Sequence, residues 1–152
     1  MLAQHRLFTI LLPLFLGFVS GCSSTPPEPP AEDPTAGRLR KIGLAYMEVH
    51  NNTGKPPQNV NQIKDALKQM GESDPDSLLI SPRDGKPFTI ILSVDTRKGG
   101  EAPNSDAPPV VLAYEQVGKD GNRYILTTLC FAIPLSADDF AKAKFPAGHI
   151  PH

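Results

Sequence analysis

The chain has 152 residues, a formal net charge of −1 and 17 prolines. No block of lysine or arginine forms the basic stripe that phosphate binding requires, so the composition argues against a nucleic-acid partner. Without the N-terminal leader described below, the remaining length suits one small domain rather than two.

The N-terminus has the three zones of a secretory signal. Residues 1–6 carry positive charge, Leu7 to Val19 are almost wholly apolar, and small residues follow. The apolar run is shorter than the about 20 residues that a membrane-spanning helix needs. The pattern therefore predicts that residues 1–21 are a signal peptide.

The ending Val19-Ser20-Gly21-Cys22 resembles the lipobox of bacterial lipoproteins. The resemblance implies cleavage before Cys22 and attachment of acyl chains to that cysteine, which makes Cys22 the predicted lipidation site. Two or more acyl chains anchor a protein stably to a membrane. It also implies a location on the cell membrane or outer membrane, facing the periplasm or the surface. An ordinary cleaved secretory signal and a short membrane anchor are the alternatives.

Residues 22–35 are rich in proline, with small and acidic residues between. This composition cannot bury apolar surface, so it predicts a disordered tether that reaches roughly 40 Å at about 3.1 Å per residue. With Cys22 lipidated, Cys130 has no partner for an internal disulfide. Cys130 lies in an apolar run and is expected to be buried and inert.

Two helices are predicted after the tether. Apolar residues at Leu39, Ile42, Tyr46 and Val49 mark one face of an amphipathic helix over residues 36–51. Gly43 interrupts that helix and is expected to let a neighbouring element approach closely. A second helix is predicted from about residue 59 to 70, with Asn59 or Asn61 as its cap.

The rest of the chain contains segments rich in β-branched and apolar residues, which favour strands. The predicted strands are residues 88–94, 110–116 and 123–133, the latter two joined by a hairpin at 119–122. A short helix is predicted to begin at Ser136, with Asp139 at the capping-box position. The fold class is therefore α+β: an N-terminal amphipathic helix packed on a small antiparallel sheet of about three to four strands. Residues 36–145 form this domain, and 146–152 are predicted to be a flexible tail.

Three segments resemble the pseudopilin-like proteins related to the major pseudopilins of type II secretion. They are residues 39–57 with His50, the turn at residues 81–88, and the strand pair at residues 111–126. The resemblance covers roughly residues 38–133. It implies a pilin-like head and a link to a secretion or pilus-like system, with a lipobox and tether in place of the helix that builds the filament core.

The residues that carry chemistry give no catalytic pattern. His50 is expected to interact with the end of the first helix, Glu115 and Asp120 are expected to be surface charges, and His149 and His152 lie in the predicted tail. The polar loop 95–109 offers oxygen ligands for calcium, and a plain solvated loop is the alternative. The side chains that would supply these oxygens are Asp95, Glu101, Asn104, Ser105 and Asp106.

The sequence thus predicts a membrane-anchored envelope lipoprotein that acts as a non-catalytic structural or interaction module. We expect an envelope protein as its partner, and neither a cofactor nor a designed metal site. The alternative function is a periplasmic or surface module that binds a small ligand or calcium, with loop 95–109 as the mouth of the site.

Overall fold

The computed structural model describes residues 32–99 and 108–152. The predicted signal peptide, Cys22, most of the predicted tether and residues 100–107 of the predicted loop lie outside the described residues. The elements in chain order are α1 (Pro34–Thr53), α2 (Val60–Gln69), α3 (Pro75–Leu78), β1 (Thr89–Ile90), α4 (Thr96–Gly99), β2 (Val111–Tyr114), β3 (Asn122–Thr127), β4 (Ala132–Ser136) and α5 (Ala137–Lys142).

The strands form one four-stranded antiparallel sheet in the order β1-β2-β3-β4, and α1 packs against it. The predicted α+β class, with an N-terminal helix on a small antiparallel sheet, is confirmed. Among the described helices, none combines the length and the apolar character needed to cross a bilayer.

Helix α1 begins at Pro34, two residues before its predicted start. Asp33 is the N-cap, and its carboxylate accepts a hydrogen bond of 2.7 Å from the Thr35 backbone N–H. Pro34 fits the first helical position because the N–H that proline lacks has no partner within the helix there. The predicted tether boundary at residue 35 is therefore wrong, since Pro34 and Thr35 belong to the domain. Gly54, with φ of 72°, ends the helix in the left-handed conformation.

The core lies on both faces of the sheet. On one face, α1 and α2 bury apolar side chains against β2 and β3, and Leu39, Ile42 and Leu126 are fully inaccessible there. On the other face, Phe140 of α5 packs on Tyr114 of β2, with ring centroids 5.2 Å apart. The predicted face of α1 is buried, as are Ile63, Ala66 and Leu67 of α2, and Asn59 caps α2 as predicted. Met70, which the periodicity also places on the inner face of α2, is the C-cap residue and is 42% exposed.

The predicted strand over residues 123–133 is wrong, because a tight turn divides it into β3 and β4. The Thr127 N–H donates to the Phe131 carbonyl, and the Cys130 N–H donates to the Thr127 carbonyl. Cys130 has φ of 60°. This is a three-residue hairpin loop closed by a left-handed residue, a position that glycine usually occupies. Because the residue at this position is not glycine, the sequence carries no signal for the turn.

The first predicted strand, residues 88–94, is also shorter than expected. Only Thr89 and Ile90 pair with β2 as a strand. Ser93 has φ of 62°, and its N–H donates to the Pro57 carbonyl instead of to the sheet. The chain therefore leaves the sheet and passes beside the C-terminal end of α1. The predicted loop 95–109 begins with the short helix α4.

The last residues, predicted to be a flexible tail, make specific contacts. The His149 ring stacks on Phe145 with centroids 5.6 Å apart, and its Nε2 lies 3.1 Å from the Tyr114 hydroxyl. Arg123 donates to the His152 carbonyl at 2.9 Å. These contacts place the segment against the far face of the sheet, so the domain extends beyond residue 145.

Candidate functional site

His50 lies at the centre of a buried polar cluster near the end of α1. Its side chain is 2% exposed, and its Nδ1 is 2.8 Å from the hydroxyl of Thr96. The Arg97 Nε donates to His50 Nε2 at 3.1 Å. Since a guanidinium has no acceptor, Nε2 is unprotonated in this arrangement and Nδ1–H donates to Thr96. His50 is thus a link between α1 and α4, which its predicted role at the helix end did not anticipate.

Two further contacts hold the same segment to α1. The Tyr46 hydroxyl accepts from the Val94 N–H at 2.9 Å and lies 3.2 Å from the Val94 carbonyl oxygen. Burial and the nearby Asp95 carboxylate raise the pKa of Tyr46 to about 12. Arg97 also donates to the Gly54 carbonyl at 2.9 Å. The arrangement fixes the start of the predicted loop rather than opening a cleft for a substrate.

The calcium hypothesis for loop 95–109 rests mainly on residues outside the described part of the chain. Glu101, Asn104, Ser105 and Asp106 all lie there. The described ligand candidate, Asp95, accepts a hydrogen bond from the Arg97 N–H and lies 3.5 Å from His50 Nε2. Within residues 32–99 and 108–152, no group of three or more His, Cys, Asp or Glu side chains is placed to hold a metal ion.

Glu115 is fully buried, so its predicted position at the surface is wrong. Its two carboxylate oxygens accept hydrogen bonds from the Ser81 hydroxyl at 2.6 Å, Arg83 Nη1 at 3.0 Å and the Tyr124 N–H at 2.8 Å. Arg83 also lies over the Tyr124 ring, 5.0 Å from its centroid. The cluster ties the turn at residues 81–86 to β2 and β3. Every contact is internal, which is typical of a structural ion pair.

Cys130 is half-buried rather than fully buried. Its Sγ lies 3.8 Å from the Met47 sulfur, and burial raises the pKa of the thiol. A raised pKa disfavours the thiolate, which is the reactive form of cysteine. The thiol therefore serves the packing between α1 and the β3–β4 turn.

Large apolar side chains are exposed along the β3–β4 turn and the start of β4. We call Leu129, Phe131 and Ile133 the β4 apolar surface. They are 47%, 60% and 40% exposed, respectively. All three residues fall inside the strand predicted over residues 123–133, and their exposure to solvent was not predicted.

A groove of about 240 Å³ adjoins this surface on the α5 side of the sheet. Val111, Ile125, Ile133 and Leu135 contribute apolar walls, and Lys142 and Lys144 contribute charge. The groove also includes Asp139, whose carboxylate accepts a hydrogen bond from the Ser136 hydroxyl at 2.7 Å. Apolar walls beside lysines suit an apolar partner that carries negative charge.

Comparisons with family models, curated proteins and solved structures found no match to this chain. The features that bear on function are therefore the motif at Cys22 and the described surfaces and clusters. The polar side chains of the two clusters, around His50 and Glu115, are engaged in internal hydrogen bonds, whereas the β4 apolar surface faces solvent.

Proposed function

We propose that the protein is a lipid-anchored component of the bacterial envelope and acts as a non-catalytic interaction module. The observation that carries this proposal is the lipobox-like sequence Val19-Ser20-Gly21-Cys22, placed directly after a short apolar run. The predicted tether then leads to Asp33, the N-cap of α1. An acylated Cys22 would hold the domain at the membrane through this segment.

The described domain supports an interaction role through its surface. Exposed apolar side chains are normal singly, but three within five residues form a contiguous candidate for docking. The α+β arrangement is compatible with the resemblance to pseudopilin-like proteins. On that resemblance, and not on the β4 apolar surface, we propose an envelope protein partner, in a secretion or pilus-like system, as the context in which the anchored domain works.

Metabolic labelling with a clickable fatty acid tests the anchor. The full-length protein, expressed in a bacterial host, is expected to incorporate the label, and Cys22→Ala is expected to abolish it. Cys130→Ala removes the other cysteine and is the matched control, which should label like the wild type. A labelled Cys22→Ala protein, or an unlabelled wild type, would contradict the proposal.

A pull-down of the lipidated protein tests the interaction role. A stoichiometric envelope partner supports the proposal, and identification of a secretion component would support the proposed context. A monomer without partners, whose thermal midpoint rises on addition of calcium, would favour the alternative of an ion-binding module.

A further inference from the structure

We propose that the β4 apolar surface docks onto the acidic lipid leaflet in which Cys22 is anchored, so that the domain rests on the membrane. This inference deepens the proposed function and rests on its lipid anchor. It concerns Leu129 and Phe131 at the β3–β4 turn, Ile133 in β4, and the neighbouring Lys142 and Lys144.

The shape of this surface favours insertion into a lipid interface. Leu129 and Phe131 belong to a turn at one end of the sheet, where side chains protrude beyond the strands. Phe131 and Ile133 lie on the same side, since side chains alternate along an extended chain. Apolar side chains of this kind, next to lysines, are the features by which peripheral proteins bind membranes.

The charge distribution agrees with an acidic leaflet. No charged residue occurs from Tyr124 to Leu135. Lys142 and Lys144 border the adjoining groove with Ile133 and Leu135. Asp139 belongs to the same lining, and its carboxylate accepts a hydrogen bond from the Ser136 hydroxyl at 2.7 Å. Both lysines are exposed, and neither forms an ion pair with the described residues. Lysines close to anionic headgroups add attraction to the apolar contact.

An added strand from a protein partner is the competing use of β4, which is an edge strand. The Phe131 carbonyl faces β3, so by alternation Ala132 and Pro134 present their backbone groups outward. Pro134 has no N–H to donate and therefore interrupts the hydrogen-bonding edge. The side chains of this region, rather than its backbone, are available to a partner.

The length of chain between anchor and domain permits the contact. Roughly ten residues separate Cys22 from Asp33, which gives a reach of at most about 35 Å. The radius of gyration expected for a domain of this size is about 14 Å. The reach thus matches the width of the domain, so its apolar surface can turn to the leaflet.

The absence of tryptophan from the chain allows a clean test. Phe131→Trp places a fluorescent reporter in the β4 apolar surface. Val117→Trp is the matched control, because Val117 is 62% exposed and lies near the opposite end of β3. The purified lipidated proteins are incorporated into phosphatidylethanolamine–phosphatidylglycerol vesicles. Quenching by lipids brominated on their acyl chains and by aqueous iodide is then measured.

We expect the Phe131→Trp emission to shift to the blue, with several-fold stronger quenching by brominated lipid and weaker quenching by iodide than in Val117→Trp. Changing Lys142 and Lys144 together to Glu should reduce this difference. Equal iodide quenching of the two reporters would overturn the proposal. Crosslinking of a photoreactive amino acid at position 131 to an envelope protein in native envelope fractions, with no protection of the Trp reporter in vesicles, would also overturn it and assign the surface to a protein.

Failure of the anchor gives a different result from failure of docking. Without acylation, neither reporter variant would incorporate the fatty-acid label or float with the vesicles, and the proposed function would fall together with the docking. With acylation but no docking, both variants float and both reporters remain equally accessible to iodide. Thermal unfolding of both variants confirms that the exposed substitutions leave the domain folded.

Discussion

A side-chain carbon built on Gly43 of α1 would lie 2.9 Å from the Sγ of Cys130. The same carbon would lie 3.2 Å from both terminal methyl groups of Leu126, which is fully buried in β3. The helix and the β3–β4 hairpin therefore meet with no room for a methyl group. The close approach predicted from the sequence is confirmed, and it explains why a poor helix former stands in the middle of α1.

Replacement of Gly43 by alanine is expected to destabilise the domain by about 1 kcal/mol. Overpacking costs typically 1–3 kcal/mol, and the gain in helix propensity, about 1 kcal/mol, offsets part of it. Gly37→Ala is the matched control on the same helix, since its new carbon would approach nothing closer than 3.8 Å. We expect Gly37→Ala to be neutral or stabilising in urea unfolding. Equal effects of the two substitutions would contradict the steric argument.

Loss of Arg83 should be among the most damaging single changes. Arg83→Met leaves the fully buried Glu115 carboxylate without its cation, which typically costs 3–5 kcal/mol. Glu115→Gln in addition should recover part of that loss, because the amide is neutral and can still accept the Tyr124 N–H. A double-mutant cycle by chemical denaturation measures the coupling. If the effects of the two substitutions on the free energy of unfolding are additive, Arg83 and Glu115 are not energetically coupled.

His50→Leu should loosen the segment at residues 94–97 more than the rest of the domain. The change removes the acceptor of Arg97 Nε and the partner of Thr96, which we expect to cost about 2 kcal/mol. Hydrogen exchange should report faster opening at the Val94 and Arg97 amides, with β3 little affected. Arg97→Met should reproduce part of this pattern. Uniform acceleration across the chain would instead indicate global destabilisation.

The C-terminal contacts should weaken in mild acid. Burial, with a smaller contribution from His152, lowers the pKa of His149 from its ordinary value of 6.5. The folded state thus favours the neutral ring, so its stabilising contribution is complete above pH 6.5 and is lost as the pH falls through the lowered pKa. His149→Phe keeps the stacking on Phe145 and should remove this dependence. The difference in thermal midpoint between the two proteins across pH 7 to 5 measures it.

The helices were predictable because their signals are local. Apolar residues at three- and four-residue spacing gave α1 and α2 to within two residues at each end. The capping residues Asn59 and Ser136 act within three positions of their partners. Residues 119–122 include an aspartate followed by a glycine, a pair that is typical of hairpin turns, so this turn was also predictable.

The missed features depend on contacts between distant parts of the chain. The turn after Thr127 has Cys130 at its left-handed position, so composition gave no sign of it. Glu115 is buried because Ser81 and Arg83 reach it from 34 and 32 residues away. The available signal for its burial was its position directly after the apolar run Val110–Tyr114. Alternation alone, however, assigns an acidic residue at that position to solvent.

The chain enters the domain at Asp33 and continues at once into α1, which contacts α2, α3, β2, β3 and β4. Any tension along the N-terminal segment is therefore delivered to the element with the widest set of neighbours. Such a pull loads α1 before the edge strands β1 and β4. A domain held in this way should resist mechanical unfolding as a single unit, which force spectroscopy with pulling from the N-terminus can measure.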